Sequence, residues 1–392
     1  MMGRAAFGAM LLAATVLGAP AASSAQEDRE NFLLPPWTGA YEPENIDERG
    51  FWREWDELET RLKHSKYVVR DPALQAYVED VLCEAVGNDR CTAARIYILR
   101  ENSFNAWMAP NGTMGVHTGL LMRMRNEAEL ASVLGHEFGH FEKRHTLQGF
   151  KQQRRTSDIV MWAAILAGID LTNIYTLTIF EYGREQEREA DLVGARYLAV
   201  SPYPSRAAAE VWIRLIDEDD ARAEERKRRK RNRHTRWLDS HPAPLERAGY
   251  LARAAEAAAD EGDYRADRYS EVMEPYLLGF YEDQLQRNDF AASKFILEQL
   301  AGEYWRPIHW VMQGELHRKR GTPRDLVTAE ESYRRAINEG TQRPEAWRGL
   351  GLALMRSGDR ESGAEALTTY LEKVPDAPDT AMLEMMVRGA QK

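Results

Sequence analysis

Between Asn126 and His145 the chain reads NEAELASVLGHEFGHFEKRH, and inside that stretch lies His136-Glu137-Phe138-Gly139-His140. On an α-helix, positions four apart differ by about 40° around the axis, so His136 and His140 leave the same face. Two neutral imidazoles side by side grip a zinc-like ion. Glu137, one residue on, is placed to act on water as a general base rather than to bind the ion. Asn126 reads as an N-cap, with Glu129 three residues later in a capping-box arrangement. Leu130, Val133, Leu134, Phe138 and Phe141 supply the apolar stripe of an amphipathic helix. Three specified letters arise by chance in about one chain in a hundred of this length, so the reading turns on whether a third ligand exists.

The segment Tyr182 to Ala199 (YGREQEREADLVGARYLA) offers one. It reads as a second helix, and Glu187 and Asp191, four apart, share one of its faces. Taken alone, with Arg184, Glu185, Arg188 and Glu189 around them, they fit a salt-bridged surface helix. Paired with the histidines upstream, Glu187 is the best candidate for the third ligand, and Asp191 can hydrogen-bond one of those histidines and fix its tautomer. His145 falls about 140° away from His140 on a continued helix and lacks the spacing of a three-histidine site, so it reads as structural. His117 ends a strand, and spacing does not place it relative to the metal. His241, in Ser240-His241-Pro242, precedes a proline and belongs on a loop or helix start. There it can donate to an oxyanion, fill a fourth metal position, or be a surface histidine in a turn.

The rest of the chain sorts around these two helices. With 392 residues there is room for two or three domains, and a net charge of −10 argues against nucleic-acid binding. Residues 1–25 carry Arg4, an apolar run from Ala5 to Gly18 and Ser23-Ser24-Ala25, the pattern of a secretory leader cleaved near Ala25. That makes the protein an exported one, with peripheral membrane contact open. Residues 26–70 form an N-terminal lead with a helical stretch from Phe51 to Lys66, and Asp71-Pro72 reads as the N-cap and first residue of a further helix. Cys83 and Cys91 are the only cysteines. In an exported chain they pair as a disulfide or remain buried thiols. Arg95–Leu99 reads as a strand. Phe104–Ala109 and Thr113–His117 read as a hairpin about Pro110-Asn111-Gly112, able to hold an extended peptide at its edge or to be purely structural. Ile159–Phe180 is apolar but carries Asp170, which favours a buried helical hairpin or lid over a membrane-dipping loop. The basic run Arg222–Arg236 reads as a solvated helix or loop rather than as a patch for anionic lipid.

From residue 270 to 392, short helices alternate with Gly, Asn-Asp and Pro punctuation. Trp347, Leu350, Gly351, Leu354, Gly358, Leu367 and Pro375 fall at the offsets of a 34-residue tetratricopeptide repeat. Trp310, Gly314, Gly321, Ala329, Tyr333 and Ala336 form an earlier copy. The expected fold is therefore mainly α: an α+β metal domain over residues 71–255 with a small sheet, then a TPR-like helical solenoid that holds peptides or protein partners.

Residues 105–112 (NAWMAPNG), Thr118-Gly119-Leu120-Leu121, Glu129 to His140 and Glu187 to Asp191 together resemble the zinc metallopeptidases that include HtpX and the CAAX prenyl endopeptidases. The leader and C-terminal repeats are similar to the periplasmic BepA-like branch. The resemblance implies one Zn²⁺ on His136, His140 and Glu187, with Glu137 as general base. It implies that His241 and Arg247, in an HPxxxxR pattern, assist at the site. It also implies polypeptide substrates connected with outer-membrane protein assembly. The competing expectation is a binding or chaperone module in which the repeats hold clients and the metal site is structural or closed by His241.

Overall fold

The computed structural model describes residue 34 and residues 36–155, 182–225 and 244–390; residues 1–25, Ile159–Phe180, most of the basic run and His241 lie outside them. The protein is mainly helical, with one three-stranded sheet among the described residues. In chain order the helices are α1 (Ile46–Lys63), α2 (Pro72–Val86), α3 (Asn88–Cys91), α4 (Thr118–Arg123), α5 (Glu127–Glu142), α6 (His145–Arg155), α7 (Arg184–Ala199), α8 (Ala207–Glu225), α9 (Pro244–Ala258), α10 (Ala266–Leu285), α11 (Phe290–Ala301), α12 (Pro307–Arg320), α13 (Pro323–Asn338), α14 (Glu345–Ser357), α15 (Arg360–Lys373) and α16 (Thr380–Ala390). The strands are β1 (Arg95–Leu99), β2 (Ala106–Met108) and β3 (Thr113–His117), in the order β1-β3-β2.

Local chemistry starts each element. Asn45 caps α1 by accepting from the Asp47 and Glu48 amides, and Asp71 caps α2 through the Ala73 and Leu74 amides with Pro72 in the first turn. Gly87 takes φ +96°, a conformation open to glycine, and turns the chain so that Cys83 and Cys91 form a disulfide across α2 and α3. β3 runs parallel to β1 and antiparallel to β2, with Trp107 opposite Gly115. A Cβ at Gly115 would stand 2.3 Å from the Trp107 indole, so glycine makes room for that ring. The second strand is shorter than Phe104–Ala109: Phe104 leaves the sheet and packs into the core instead.

α1 starts earlier than Phe51. It lays Phe51, Trp55 and Leu62 over Trp107 and Leu147, and Phe51 stacks on Phe150 at 4.2 Å. Its buried Glu59 is held by Arg95 at 2.6 Å and by the Tyr97 hydroxyl at 2.8 Å. These bonds hold the Glu59 carboxyl down at about 2 against the cost of its burial. α5 runs through the centre, buried along almost its whole length, with α2, α7 and α8 packed around it. Asn126 caps it through the Glu129 amide at 2.9 Å. The Glu129 carboxylate does not close a capping box. It accepts from the Arg125 amide at 2.8 Å and pairs with Arg214 of α8 at 2.7 Å.

The C-terminal helices dock on this unit through buried charge. Arg123 of α4 reaches Glu218 of α8 at 2.9 Å and Gln284 of α10 at 3.3 Å, while Arg222 of α8 reaches Asp289 at 2.9 Å. From α12 onward each helix packs on its neighbour across short connections. The Tyr333 ring of α13 is inserted between α12 and α14, where a Cβ at Gly314 or Gly349 would meet it at 2.5 or 2.3 Å. No helix among the described residues is long and apolar enough to cross a membrane.

Candidate metal centre

Small residues let α5 and α7 approach closely. Gly135 and Gly139 of α5 face Gly194 and Ala190 of α7. A Cβ at Gly139 would lie 3.0 Å from the Ala190 carbonyl oxygen, and one at Gly194 would lie 3.1 Å from the His136 amide nitrogen. Along α7 the pattern splits cleanly: Glu187, Ala190, Asp191 and Gly194 are buried, whereas Arg184, Glu185, Arg188 and Glu189 are exposed. The buried face brings Glu187 against the two histidines of α5.

His136 Nε2 and His140 Nε2 are 3.1 Å apart, and they stand 3.7 and 3.6 Å from the two carboxylate oxygens of Glu187. These three side chains could hold a metal ion, each offering one ligand atom and all within 4.8 Å of one another. A tetrahedral zinc with bonds of about 2.1 Å needs ligand atoms about 3.4 Å apart, so the two imidazoles and one carboxylate fit in both chemistry and spacing. His117 is not among them; its Nδ1 bonds the Ser103 hydroxyl at 2.8 Å, and burial pushes it down to about 3.

Each histidine is held from behind. His136 Nδ1 lies 2.9 Å from Asp191, leaving Nε2 for the ligand position. Asp191 is gripped in turn by Arg247 of α9, with Nε at 2.8 Å and a terminal nitrogen at 2.6 Å, and by the Tyr250 hydroxyl. Arg247, 1 % exposed, also pairs with Glu187 at 2.9 Å and lies 3.7 Å from the centre of the Trp212 ring. Burial works against the Asp191 carboxylate, but Arg247 and His136 hold it well below the usual range. The same Asp191 charge raises His136 against its burial. Arg247 was expected to assist at the site together with His241. Its nitrogens are spent on Asp191 and Glu187, so it clamps the acidic residues in place. His241 lies outside the described residues.

On the other side, His140 Nδ1 lies 2.8 Å from His145 Nδ1, and His145 Nε2 lies 3.2 Å from Glu189. The expectation that His145 points away from His140 rested on one continuous helix. The helix instead ends at Glu142, Arg144 takes φ +59°, and His145 opens α6 beside His140. Tyr182 stacks on the His140 ring at 3.8 Å.

A cavity opens beside His136 and Glu137. Phe104, Ala106, Val133, Val211, Trp212 and Leu251 line it, and its polar lining is Ser132, His136, Glu137, Asp191 and Arg247. Burial, reinforced by Glu187, pushes the Glu137 carboxyl up to about 8 although His136 and Arg247 pull the other way. A cation on the three ligands would act in the same sense as those two charges and favour the carboxylate.

Residues 69–255 match the peptidase family M48 model. The chain is 24% identical over 293 residues to the beta-barrel assembly-enhancing protease of Escherichia coli, covering 69% of this chain and 58% of that one. It is 30% identical over 169 residues to the mitochondrial metalloendopeptidase OMA1 of Arabidopsis thaliana, covering 41% and 31%, and 28% identical over 182 residues to the metalloprotease YcaL of E. coli, covering 43% and 66%. The chain thus spans less than two thirds of the length of each of these relatives. The matched region contains both helices of the metal centre and the clamping arginine, so the similarity to peptidase family M48 takes in the whole of that centre.

Proposed function

We propose that the protein is a zinc-dependent endopeptidase of the periplasm acting on polypeptides of outer-membrane protein assembly. The observation that carries the reading is the cluster of His136, His140 and Glu187 beside Glu137, on the wall of an apolar cavity. Bound there, zinc would supply Lewis acidity toward a peptide carbonyl and make water acidic enough to attack at neutral pH.

The chain's own residues do the rest. Glu137 takes the proton of the attacking water and returns it to the leaving amine. Asp191, clamped by Arg247 and Tyr250, holds the proton of His136 on Nδ1. Among the described residues β2 is an edge strand. Its neighbours Asn105 and Ala109 bond across to His117 and Thr113, so by antiparallel alternation the polar backbone groups of Ala106 and Met108 face away from β3. Ala106 also lines the cavity, so an extended peptide can add to this edge with its scissile bond near Glu137. His241 remains a candidate donor to the oxyanion.

The helix pairs from Pro307 to Lys373 support a TPR-like array for a protein partner. Periplasmic location is supported by the leader pattern and by the Cys83–Cys91 disulfide, a bond suited to an oxidising compartment. The link to outer-membrane assembly is supported by the name of the E. coli relative. Chelation tests the metal dependence: cleavage of an unfolded protein should stop when the ion is stripped and return with stoichiometric Zn²⁺. Undiminished cleavage by metal-free protein would refute the proposal.

A further inference from the structure

We infer that His145 is a positioning residue for the metal centre, an imidazole that accepts the Nδ1 proton of His140 and so fixes that ligand's ring and tautomer. The inference deepens the metal reading and rests on it.

The argument begins with which nitrogen of His140 faces the ligands. Its Nε2 lies 3.1 Å from His136 Nε2 and 3.6 Å from Glu187, so Nε2 is the donor to an ion and the ring proton sits on Nδ1. Nδ1 lies 2.8 Å from His145 Nδ1, which must then be the acceptor, with the His145 proton on Nε2. His145 Nε2 lies 3.2 Å from Glu189 Oε2, and Glu189 is paired with Lys143 at 2.9 Å. Every proton in this chain has one donor and one acceptor, and each is consistent with a neutral imidazole at both histidines. The arrangement is a carboxylate–histidine–histidine relay, longer by one ring than the direct Asp191 contact behind His136.

Two other roles for His145 fit less well. As a metal ligand it would need a nitrogen beside His140 Nε2, yet it lies across the ring at Nδ1 and outside the clustered ligand atoms. As mere packing it would be replaceable by an apolar side chain, but that would take away the ring nitrogen 2.8 Å from His140 Nδ1 in a site where both rings are buried. The backbone is shaped to deliver it. Arg144 adopts the left-handed conformation at φ +59° between two helices, and His145 itself is fully buried. Tyr182, tied to Thr146 at 2.9 Å, covers the His140 face, so the ring is fixed in its plane by stacking and about its axis by His145.

The test is zinc affinity of the full chain, measured by competition with a chromophoric chelator, together with the absorption spectrum of the Co²⁺-loaded protein. His145→Asn keeps an acceptor where Nδ1 stood; His145→Gln moves it outward by one bond; His145→Leu removes it. We expect Leu and Gln to bind zinc about 10–100-fold more weakly and to shift the Co²⁺ bands. Asn should stay within about threefold of wild type, and Glu189→Gln should do the same because that carboxylate is half exposed. Gln is the polar variant that decides the matter should Leu not fold. Wild-type affinity in Gln, or a loss in Asn as large as in Gln, would overturn the role of His145 while leaving the metal site standing. A wild-type chain that binds no zinc would overturn the site and this inference together.

Discussion

The two histidines of the centre are supported in opposite ways. Behind His136 lies a closed charge cluster: Asp191, Arg247 and Glu187 are each no more than 4 % exposed, and Arg247 is paired with both carboxylates. Behind His140 lies a relay through a neutral ring that ends at Glu189 and Lys143 on the surface. A carboxylate that is taken out of water needs a cation beside it, and the cation then becomes indispensable; a carboxylate left at the surface needs little and contributes little. If the cluster holds an ion, the first flank should set both stability and metal affinity, and the second should tune orientation.

The sharpest way to break this contrast is Arg247→Met. It strands two buried carboxylates, and the metal-free protein should lose about 3–5 kcal/mol of unfolding free energy in urea. Glu189→Gln on the other flank should stay within about 0.5 kcal/mol of wild type. Comparable losses for both would erase the distinction. Asp191→Asn keeps an acceptor for His136 but removes the charge, and zinc binding should weaken about 10–100-fold by chelator competition.

A finer contrast lies in pH. The folded Asp191 is held below its ordinary value, so the unfolded chain takes up this proton first on acidification. Its contribution is present in full above about pH 4 and is lost progressively below it, as pH falls toward the lower folded value. Burial, outweighing Glu189, lowers the folded His145 below its ordinary value, so the unfolded chain again binds the proton first, here from about pH 6.5 downward. In metal-free protein, the difference in urea midpoint between wild type and Asp191→Asn should change below about pH 4, and that for His145→Asn below about pH 6.5. Two differences that move in the same window would show that the flanks are not independent.

Much of the site was legible because helix periodicity places residues without knowledge of the fold. The 136/140 spacing and the 187/191 spacing each define one face, and those faces meet. The approach of the two helices had a signal too, in Gly135, Gly139 and Gly194, but glycines in a helix read as weakness until their neighbours are known. His145 was misplaced because nothing in Lys143-Arg144 marks a helix end; a non-glycine residue adopts φ +59° there under tertiary constraint. The clamp by Arg247 was illegible for a different reason: its partner Asp191 is 56 positions away, and no local pattern pairs them. In the C-terminal helices legibility runs the other way. Gly314 and Tyr333 were readable as repeat positions, and they meet because repeats pack on sequence neighbours. The buried Arg123–Glu218 pair that helps dock this region carries no sequence signal.

The central claim is that His136, His140 and Glu187 hold a zinc ion on which Glu137 acts as the base. It is tested most directly by measuring zinc content and cleavage of an unfolded protein side by side in wild type and Glu137→Gln. The account predicts one zinc per chain in both, with cleavage reduced about 10²–10⁴-fold in the variant. Cleavage at the wild-type rate by Glu137→Gln, or wild-type protein that cleaves without zinc, would contradict it.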